Sequence, residues 1–406
     1  MGPADLGRVA AISDLADLRG LRVLAFCDYF PPSSSGGGSE RVAFEVYRRL
    51  CAAGASVTVV TAVPPGTTVA DPSAGALEGI EVVTVVGRDL SRVTGAQVLV
   101  ATGLRSRARE LVESLRPHVL HANSLHFQTT VAATWTARRT GLPLVTTVHL
   151  AGIDLLPAHV RAATGVWERT IGRWVLASSA EVVAVSEAVD DHVRTRTGGD
   201  RRVHVVPNGV DLDVFVPGPE EDPPVIAFVG RLIANKGPAV LVSAARALAE
   251  AGRSFQLRVV GDGPQRAELE AAVAASPALA ERTTFTGFSP VVHEHLAGAS
   301  VLVRPSLTEG MPLAVLEAMA ADVCAVVSDI PANRLVVDHD RTGLLFPVGD
   351  ADALAAVLAT LLDDPDRRRA LARAGYEMAQ GFSWDATAAG TAAVLVDAAG
   401  WAPGAP

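Results

Sequence analysis

Cysteine and long apolar runs are scarce in this chain of 406 residues. The three cysteines, Cys27, Cys51 and Cys324, are an odd number, lie far apart and lack the paired spacing of a metal site. Their pattern excludes a disulfide scaffold and predicts buried, reduced thiols in a cytoplasmic protein. No apolar run approaches the ~18 residues needed to span a bilayer. Residues 1–20 include several acids and do not have the form of a signal peptide.

Positive charge is also in short supply. The chain has 35 Lys and Arg against 44 Asp and Glu, a net charge of −9, which argues against nucleic acid as a partner. One predicted helix is a local exception, since it carries or adjoins four arginines, Arg105, Arg107, Arg109 and Arg116. We interpret them as a solvated face, with contact to an anionic acceptor or a membrane surface as the alternative.

The length exceeds that of one ordinary core and predicts two domains. Apolar β-branched runs alternate with helical stretches, as in parallel sheets covered on both faces. In the first half the predicted strands are Leu21–Asp28, Ser56–Ala62, Glu81–Val86, Val119–Ala122, Leu144–His149, Val182–Ser186 and Val203–Val206. The predicted helices there include Ser39–Ala53, Leu104–Leu115 and Gln128–Thr140.

A segment rich in proline and acids, Pro217–Pro224, interrupts this alternation and is typical of a linker. After it we predict strands Val225–Gly230, Gln256–Gly261, Thr283–Thr286 and Ser300–Val303, with helices Ala239–Ala251 and Gln265–Ala275. The predicted organisation is a leader at 1–20, a first domain at 21–216, a second at 217–381 and a final helix at 382–406. Ligands of such sheets bind beyond the carboxyl ends of the strands, so two facing domains predict a deep cleft.

The most informative motif begins at Glu309. Gly310 and Met311 follow, then Pro312, a favoured first residue of a helix, and an apolar helix that carries a second acid, Glu317, eight positions after the first. The start of a helix binds anions through free backbone N–H groups, whereas carboxylates accept hydrogen bonds from hydroxyls. A ligand with both phosphates and hydroxyls is a sugar nucleotide, and that is the ligand we predict.

Two glycine-rich turns follow the first strands of the two domains. Gly36, Gly37 and Gly38 precede a helix, where the lack of side chains lets backbone amides approach a phosphate; a flexible loop is the alternative. Gly230–Gly237 contains Arg231 and Lys236, whose charges suit a pyrophosphate, although a solvated loop would have the same composition. Gly261-Asp262-Gly263-Pro264 is a tight turn whose backbone is expected near the same ligand.

Two histidines stand at strand ends in the first domain. His121 is interpreted as a hydrogen-bonded structural residue, and His149 as either structural or functional. Neither forms a metal site with nearby acids.

Taken in order, these motifs resemble the large family of retaining glycosyltransferases with the GT-B fold, which includes sucrose, mannosyl and N-acetylglucosaminyl transferases. The pattern of two acids eight residues apart carries the resemblance, together with Pro207-Asn208-Gly209-Val210-Asp211, Thr286-Gly287-Phe288, Arg304-Pro305-Ser306, Thr342-Gly343-Leu344-Leu345-Phe346 and Phe382-Ser383-Trp384. The resemblance implies a GT-B fold: two Rossmann-like α/β domains across a cleft, with a C-terminal helix that crosses back to the first domain.

The resemblance also implies roles. Arg231 and Lys236 hold the donor diphosphate, Glu309 contacts the donor sugar, and Glu317 accepts hydrogen bonds from the ribose. The remaining donor contacts fall on backbone at Gly37, Gly38, Gly263, Gly310, Met311, Pro312 and Leu313. No metal or other cofactor is expected, because the cations and the helix start compensate the charge of the diphosphate.

Three departures from the family pattern stand out. Relatives often carry His-x-His where this chain has His121-Ala122-Asn123, and Asn123 can hydrogen-bond a sugar hydroxyl but cannot take a proton. We therefore expect Asn123 to be a contact and His149 a neighbour of the sugar. Ala321–Ala325 replaces a Gly-x-Pro-Val turn, and Leu335 stands where relatives often place an acid.

The predicted function is transfer of a hexose or N-acetylhexosamine, with retention, from a nucleotide diphosphate sugar to an acceptor hydroxyl. UDP is the first choice of carrier and GDP the second; the acceptor, a sugar, lipid or small molecule, and the oligomeric state stay open. A non-catalytic subunit that binds sugar nucleotides and a sugar-nucleotide epimerase are the alternatives. A nicotinamide-dependent enzyme is disfavoured because the G-x-G-x-x-G turn is missing.

Overall fold

The computed structural model describes residues 17–30, 37–66, 77–89, 99–150, 158–197 and 202–402. They form two compact units. The C-terminal unit comprises residues 209–383, and the N-terminal unit comprises the described residues up to 208 together with those from 384 onward. Most of the predicted leader and Gly36 lie outside the described residues.

The N-terminal unit is built on a seven-stranded parallel sheet of order β3-β2-β1-β6-β7-β8-β9. Its strands are β1 (Arg22–Phe26), β2 (Ser56–Val63), β3 (Glu81–Val86), β6 (Val119–Asn123), β7 (Leu144–Val148), β8 (Glu181–Ala184) and β9 (Val203–Val205), beside a small antiparallel pair of β4 (Arg88–Asp89) and β5 (Leu99–Val100). The helices are α1 (Gly38–Ala52), α2 (Leu104–Leu115), α3 (Gln128–Thr140), α4 (Ala158–Trp167), α5 (Arg173–Ser178) and α6 (Glu187–Thr197), with a π-helical turn at Glu168–Gly172.

The C-terminal unit is built on a six-stranded sheet of order β12-β11-β10-β13-β14-β15, also parallel. Its strands are β10 (Val225–Val229), β11 (Gln256–Val260), β12 (Thr283–Gly287), β13 (Val301–Arg304), β14 (Cys324–Ser328) and β15 (Gly343–Phe346). Its helices are a short 3-10 turn at Ala234–Lys236, then α7 (Pro238–Glu250), α8 (Arg266–Ala274), α9 (Pro277–Ala280), α10 (Val292–Leu296), α11 (Leu313–Ala320), α12 (Pro331–Arg334), α13 (Ala351–Asp363) and α14 (Pro365–Ala379).

The last helix, α15 (Trp384–Ala399), belongs to the N-terminal unit. Trp384 is almost fully buried there, and Arg49 of α1 donates to Asp385 over 2.6 Å. The hydroxyl of Thr387 donates to the carbonyl of Pro207 over 2.8 Å. The final helix therefore packs on residues that precede the C-terminal unit in sequence.

Apolar strands explain both sheets. All five residues of β10 and of β14 are buried, as are all five of β6, because helices cover the sheet on both faces. The predicted strands agree with the observed ones to within one or two residues at each end. The predicted linker segment is attached to the C-terminal unit through Glu221, which accepts from Arg258 over 2.8 Å, and the division between the units falls shortly before it, at 208 and 209.

The strand orders fix where ligands are expected. In each sheet the first three strands lie side by side in sequence order, and the next strand of the sheet pairs with the free side of the first. The switch point therefore lies between β1 and β6 in the first unit and between β10 and β13 in the second. The carboxyl ends of strands at such a switch point are the usual ligand-binding edge of an open α/β sheet.

The three cysteines are free, as predicted. Cys27 and Cys324 are buried, and burial raises the pKa of the Cys324 thiol to about 12. Cys51 is only half-buried, so the predicted burial is wrong for this thiol. Within the described residues, no helix is both long and apolar enough to cross a membrane.

Candidate functional site

Close backbone contacts shape the edge of the C-terminal unit between β10 and β13. Gly230 follows β10 with φ of +151°, and a Cβ there would lie 2.2 Å from Nη1 of Arg304. Gly237 ends the 3-10 turn with φ of +66°, where a Cβ would lie 2.0 Å from the carbonyl oxygen of Pro305. Only glycine fits at these two positions, so the glycines of the predicted turn bring the loop after β10 against the loop after β13.

Glu309 lies at the centre of this edge and is 8% exposed. Its Oε2 accepts a hydrogen bond from Nζ of Lys236 over 2.7 Å. Its Oε1 accepts from Nε of Arg304 over 2.9 Å and from the hydroxyl of Ser306 over 2.7 Å. The sequence placed Glu309 and Lys236 at one site, and the structure brings them into direct contact.

The charges of this cluster depend on each other. Burial alone would raise the pKa of the Glu309 carboxyl, but Arg304 and Lys236 outweigh it and hold the pKa at about 2. Burial lowers the pKa of Lys236 to about 8; Glu309 opposes this fall, while Arg304 and Arg231 add to it. At neutral pH the site therefore holds an ionised carboxylate beside more than one cation, an excess of positive charge that suits a polyanionic ligand.

A chain of hydrogen bonds supports the loop that carries Glu309. The hydroxyl of Ser328, at the end of β14, donates to the carbonyl of Ser306 over 2.5 Å. Asn333 donates to the carbonyl of Ser328 over 2.7 Å. Since Ser306, Ser328 and Asn333 are all fully buried, these hydrogen bonds hold the loop in place on its buried side.

Helix α11 begins one residue later than predicted. Pro312 precedes the helix in an extended conformation and Leu313 is its first residue. Gly310 and Met311 are buried between Glu309 and this helix start. Glu317 lies on the buried side of α11 and is 5% exposed.

The other donor residues predicted in this unit lie nearby. Arg231 is exposed directly after β10. Gly263 follows β11 with φ of +158°, and a Cβ there would lie 2.5 Å from the carbonyl oxygen of Leu232. The backbone of Leu232 donates to the carbonyl of Asp262 over 2.9 Å, so the turns after β10 and β11 pack against each other.

In the N-terminal unit, Asn123 ends β6 and His149 follows β7. Nδ2 of Asn123 donates to the carbonyl of Ser39, in the first turn of α1, over 3.0 Å. The amide oxygen, which can only accept, therefore faces Nε2 of His149 at 2.8 Å. His149 must carry its proton on Nε2, which leaves Nδ1 as a hydrogen-bond acceptor.

Burial, with a smaller contribution from His121, lowers the pKa of His149 to about 3. His149 is thus neutral at physiological pH. His121 lies between the hydroxyls of Tyr47, at 2.9 Å, and Thr147, at 2.8 Å, and burial lowers its pKa to about 4. These contacts give His121 the structural role that its sequence context predicted.

Gly37 and Gly38 form the start of α1, with Gly37 as the residue before the helix. A Cβ at Gly37 would lie 2.7 Å from Oε2 of Glu40. Through the Ser39 carbonyl, this helix start is attached to Asn123. The structure thus brings the predicted residues Gly37, Gly38, Asn123 and His149 together at the switch point of the N-terminal sheet.

Sequence reasoning missed several residues of these two edges. Arg304 and Ser306, which hold Glu309, had no assigned role. Asp28 follows β1, is buried, and has a pKa raised to about 7 by burial, with Thr129 opposing and Glu40 adding to the rise. Two non-glycine residues at these strand ends, Tyr29 (φ 53°) and Ser124 (φ 90°), have left-handed backbone conformations, which concentrate at functional sites.

The arginines of α2 agree with the interpretation as a solvated face. Arg107 pairs with Glu110 over 2.9 Å and Arg109 with Glu113 over 3.0 Å, both on exposed turns of the same helix. Arg105 lies over the ring of Trp135. In the part of the chain that the structure describes, no group of three His, Cys, Asp or Glu is arranged to hold a metal ion.

Comparison with known proteins gives two family matches. The family described as glycosyl transferases group 1 matches residues 210–378, and the family described as glycosyltransferase family 4 matches residues 36–214. Together these matches cover Gly37, Gly38, Asn123 and His149 of the N-terminal unit and Arg231, Lys236, Glu309 and Glu317 of the C-terminal unit.

Individual relatives agree with these matches. The 2-deoxystreptamine glucosyltransferase of Streptomyces kanamyceticus is 31% identical over 309 residues, which are 71% of this chain and 80% of that protein. A D-inositol 3-phosphate glycosyltransferase of Xylanimonas cellulosilytica is 31% identical over 88% of this chain and 91% of its own length. The crystal structure of Anabaena HepE with UDP and glucose superposes with a TM-score of 0.74 at 19% identity, covering 93% of this chain and all of that one; this likeness shows the shared GT-B fold.

Proposed function

This chain belongs to the group 1 glycosyltransferases, enzymes that transfer a sugar from a nucleotide sugar, and we propose that it moves a hexose or N-acetylhexosamine from a UDP-sugar to an acceptor hydroxyl with retention of configuration. The observation that carries the proposal is the contact of Glu309 with Lys236 and Arg304 at the switch point of the C-terminal sheet. This arrangement offers a carboxylate for sugar hydroxyls and cations for a diphosphate within one buried cluster.

In this proposal the donor lies along the start of α11. Arg231 and Lys236 bind the diphosphate, while Glu309 accepts hydrogen bonds from the transferred sugar. Glu317 accepts hydrogen bonds from the ribose hydroxyls. Backbone at Gly263, Gly310, Met311, Pro312 and Leu313 lines the donor without adding bulk or charge.

The chemistry then requires charge stabilisation more than proton transfer by a side chain. The bond between the anomeric carbon and the diphosphate oxygen breaks, and a bond from the acceptor oxygen forms on the same face of the sugar. The acceptor proton passes to the leaving phosphate oxygen. Arg231, Lys236 and the N–H groups at the start of α11 stabilise the negative charge that develops there, and we propose that no metal ion is needed.

Asn123 and His149 are assigned to the sugar side of the reaction. Both polar atoms of the Asn123 amide are bonded within the protein, so we assign it to holding His149. The Nδ1 atom of His149 accepts a hydrogen bond from a substrate hydroxyl. A neutral imidazole of this kind orients a hydroxyl but does not serve as a proton store.

UDP is favoured over GDP as the carrier because the structurally similar HepE was solved with UDP and glucose. For the acceptor we propose only a class, small polyols, because the named relatives act on 2-deoxystreptamine and on inositol phosphate.

The test uses a panel of UDP-, GDP-, ADP- and dTDP-sugars without acceptor. We expect UDP-sugars to raise the melting temperature by mass action and to be hydrolysed slowly to free sugar and UDP. Product masses separate this outcome from epimerisation, which would leave the donor mass unchanged. Stabilisation without any product would favour the non-catalytic subunit, and no stabilisation by any donor would overturn the proposal.

A further inference from the structure

Arg304 contacts both sides of the switch point in the C-terminal sheet. Its Nη1 donates to the carbonyl of Val229, at the end of β10, over 2.5 Å. Its Nε and Nη2 both lie 2.9 Å from Oε1 of Glu309. The guanidinium therefore holds the carboxylate in a fixed position relative to the end of the neighbouring strand.

Burial limits the movement of this arginine. Arg304 is 7% exposed, lies over the ring of Phe228 and occupies the space that a side chain at Gly230 would fill. Lys236 belongs to the short 3-10 turn, and its flexible side chain is 14% exposed. Its ammonium contacts the other oxygen of Glu309. Glu309 thus has one closely packed counter-ion and one counter-ion on a longer, partly exposed side chain.

The proposed function assigns these two counter-ions different tasks. If Lys236 binds the donor diphosphate, its ammonium is shared with or withdrawn from Glu309 when the donor arrives. A buried carboxylate that loses its only counter-ion is strongly disfavoured in its charged form. The carboxylate must stay ionised to accept hydrogen bonds from sugar hydroxyls through both oxygens.

We propose that Arg304 is a positioning residue that keeps Glu309 ionised and oriented while Lys236 engages the donor diphosphate. This inference rests on the proposed function. Arginine suits the task because its guanidinium does not lose its proton and its planar fork binds one oxygen and a carbonyl at once. The charged groups that act on Glu309 are Arg304 on β13 and Lys236 on the 3-10 turn, and Arg231 after β10 acts on Lys236.

The experiment measures kcat/KM for hydrolysis of UDP-glucose between pH 5 and pH 8 in the full-length protein. In the parent protein Glu309 is expected to stay ionised over this whole range, so its titration should cause no fall in kcat/KM at low pH. In Arg304→Met the titration of Glu309 moves up into this range, and activity falls about tenfold for each pH unit below the new pKa. Arg304→Lys keeps the charge without the fork and is expected to recover most of the acid activity but not the full rate.

Ser306→Ala is the matched control, since it removes an uncharged bond to the same oxygen and should shift the acid limb much less than Arg304→Met. The melting temperature and the Kd for UDP are measured for each variant. If Arg304→Met binds UDP within about threefold of the parent and has the same pH profile, the inference is wrong. If Arg304→Met fails to fold, the inference stands or falls on the kcat/KM of Arg304→Lys at pH 8, which must lie below that of Ser306→Ala. Failure of the parent to bind or hydrolyse any UDP-sugar would overturn the proposed function instead.

Discussion

Nζ of Lys236 lies 2.7 Å from Oε2 of Glu309, so a residue after β10 is paired with a residue after β13 at the edge between these adjacent strands. An anion that binds beside this pair therefore changes the protonation of Lys236. Because burial lowers the pKa of Lys236 to about 8, part of this lysine is neutral in mildly alkaline solution. This has a measurable consequence for ligand binding.

We predict that binding of UDP takes up protons near pH 8. A diphosphate beside Lys236 raises its pKa, so about half a proton is bound per UDP at pH 8 and less at pH 6.5, where the lysine is already charged. Titration calorimetry in two buffers of different ionisation enthalpy measures the uptake. Lys236→Arg, which is permanently charged, is the control; equal uptake in this variant would place the proton elsewhere.

A second prediction separates the two acids of the E-x7-E motif. Glu309→Ala should lower turnover of the UDP-sugar by about 100-fold, since it removes a group that acts on the reacting sugar, while the Kd for UDP changes little. Glu317→Ala should do the reverse and weaken UDP binding with a smaller effect on turnover. Equal loss of turnover and affinity in Glu309→Ala would contradict its assignment to the sugar.

Gly230 provides a test of the packing around Arg304. Gly230→Ala places a methyl group on the guanidinium, with φ of +151° adding strain, and should cost more than about 2 kcal/mol of unfolding free energy. Gly252→Ala is the matched control because Gly252 also has a positive φ but has open space around it, so only the conformational cost of about 1 kcal/mol applies. Urea denaturation compares the two, and equal midpoints would refute the close contact.

The pairing of Asn123 with His149 gives a prediction about titration. In the parent protein the His149 imidazole should show no change between pH 5 and pH 8 by nuclear magnetic resonance, because its pKa of about 3 lies below this range. Asn123→Asp places a carboxylate on Nε2 and should raise the His149 pKa, so that protonation appears as the pH falls.

A His149 that titrates normally in the parent would mean that the imidazole is not held as the structure shows.

Much of the fold could be predicted from the sequence because each strand is a short, continuous apolar run. Val225–Val229 and Val301–Arg304 were placed to within one residue, and the ordered motifs identified the family that the comparisons confirm. The acid and glycine before α11 follow β13, at the switch-point edge of the C-terminal sheet. Pro312 precedes the helix and does not begin it.

Contacts between distant segments could not be predicted in the same way. The apolar pattern of a strand does not determine which strand lies beside it. The hydrogen bond from Arg304 to the carbonyl of Val229, 75 residues apart, could therefore not be predicted. The same holds for Asn123 and His149, whose meeting depends on β6 and β7 being neighbours. The sequence predicts Asn123 as a contact of the sugar, whereas in the structure its amide donates to the Ser39 carbonyl and accepts from His149.

Helix α15 has a consequence for how this chain is made. A ribosome completes residues 209–383 before it adds the helix that begins at Trp384, so the C-terminal unit is a continuous stretch that can fold as it emerges. The N-terminal unit starts first, yet it lacks the buried Trp384 and Leu395 until the whole C-terminal unit has been made. Its sheet stays incompletely covered until this distant helix has been added.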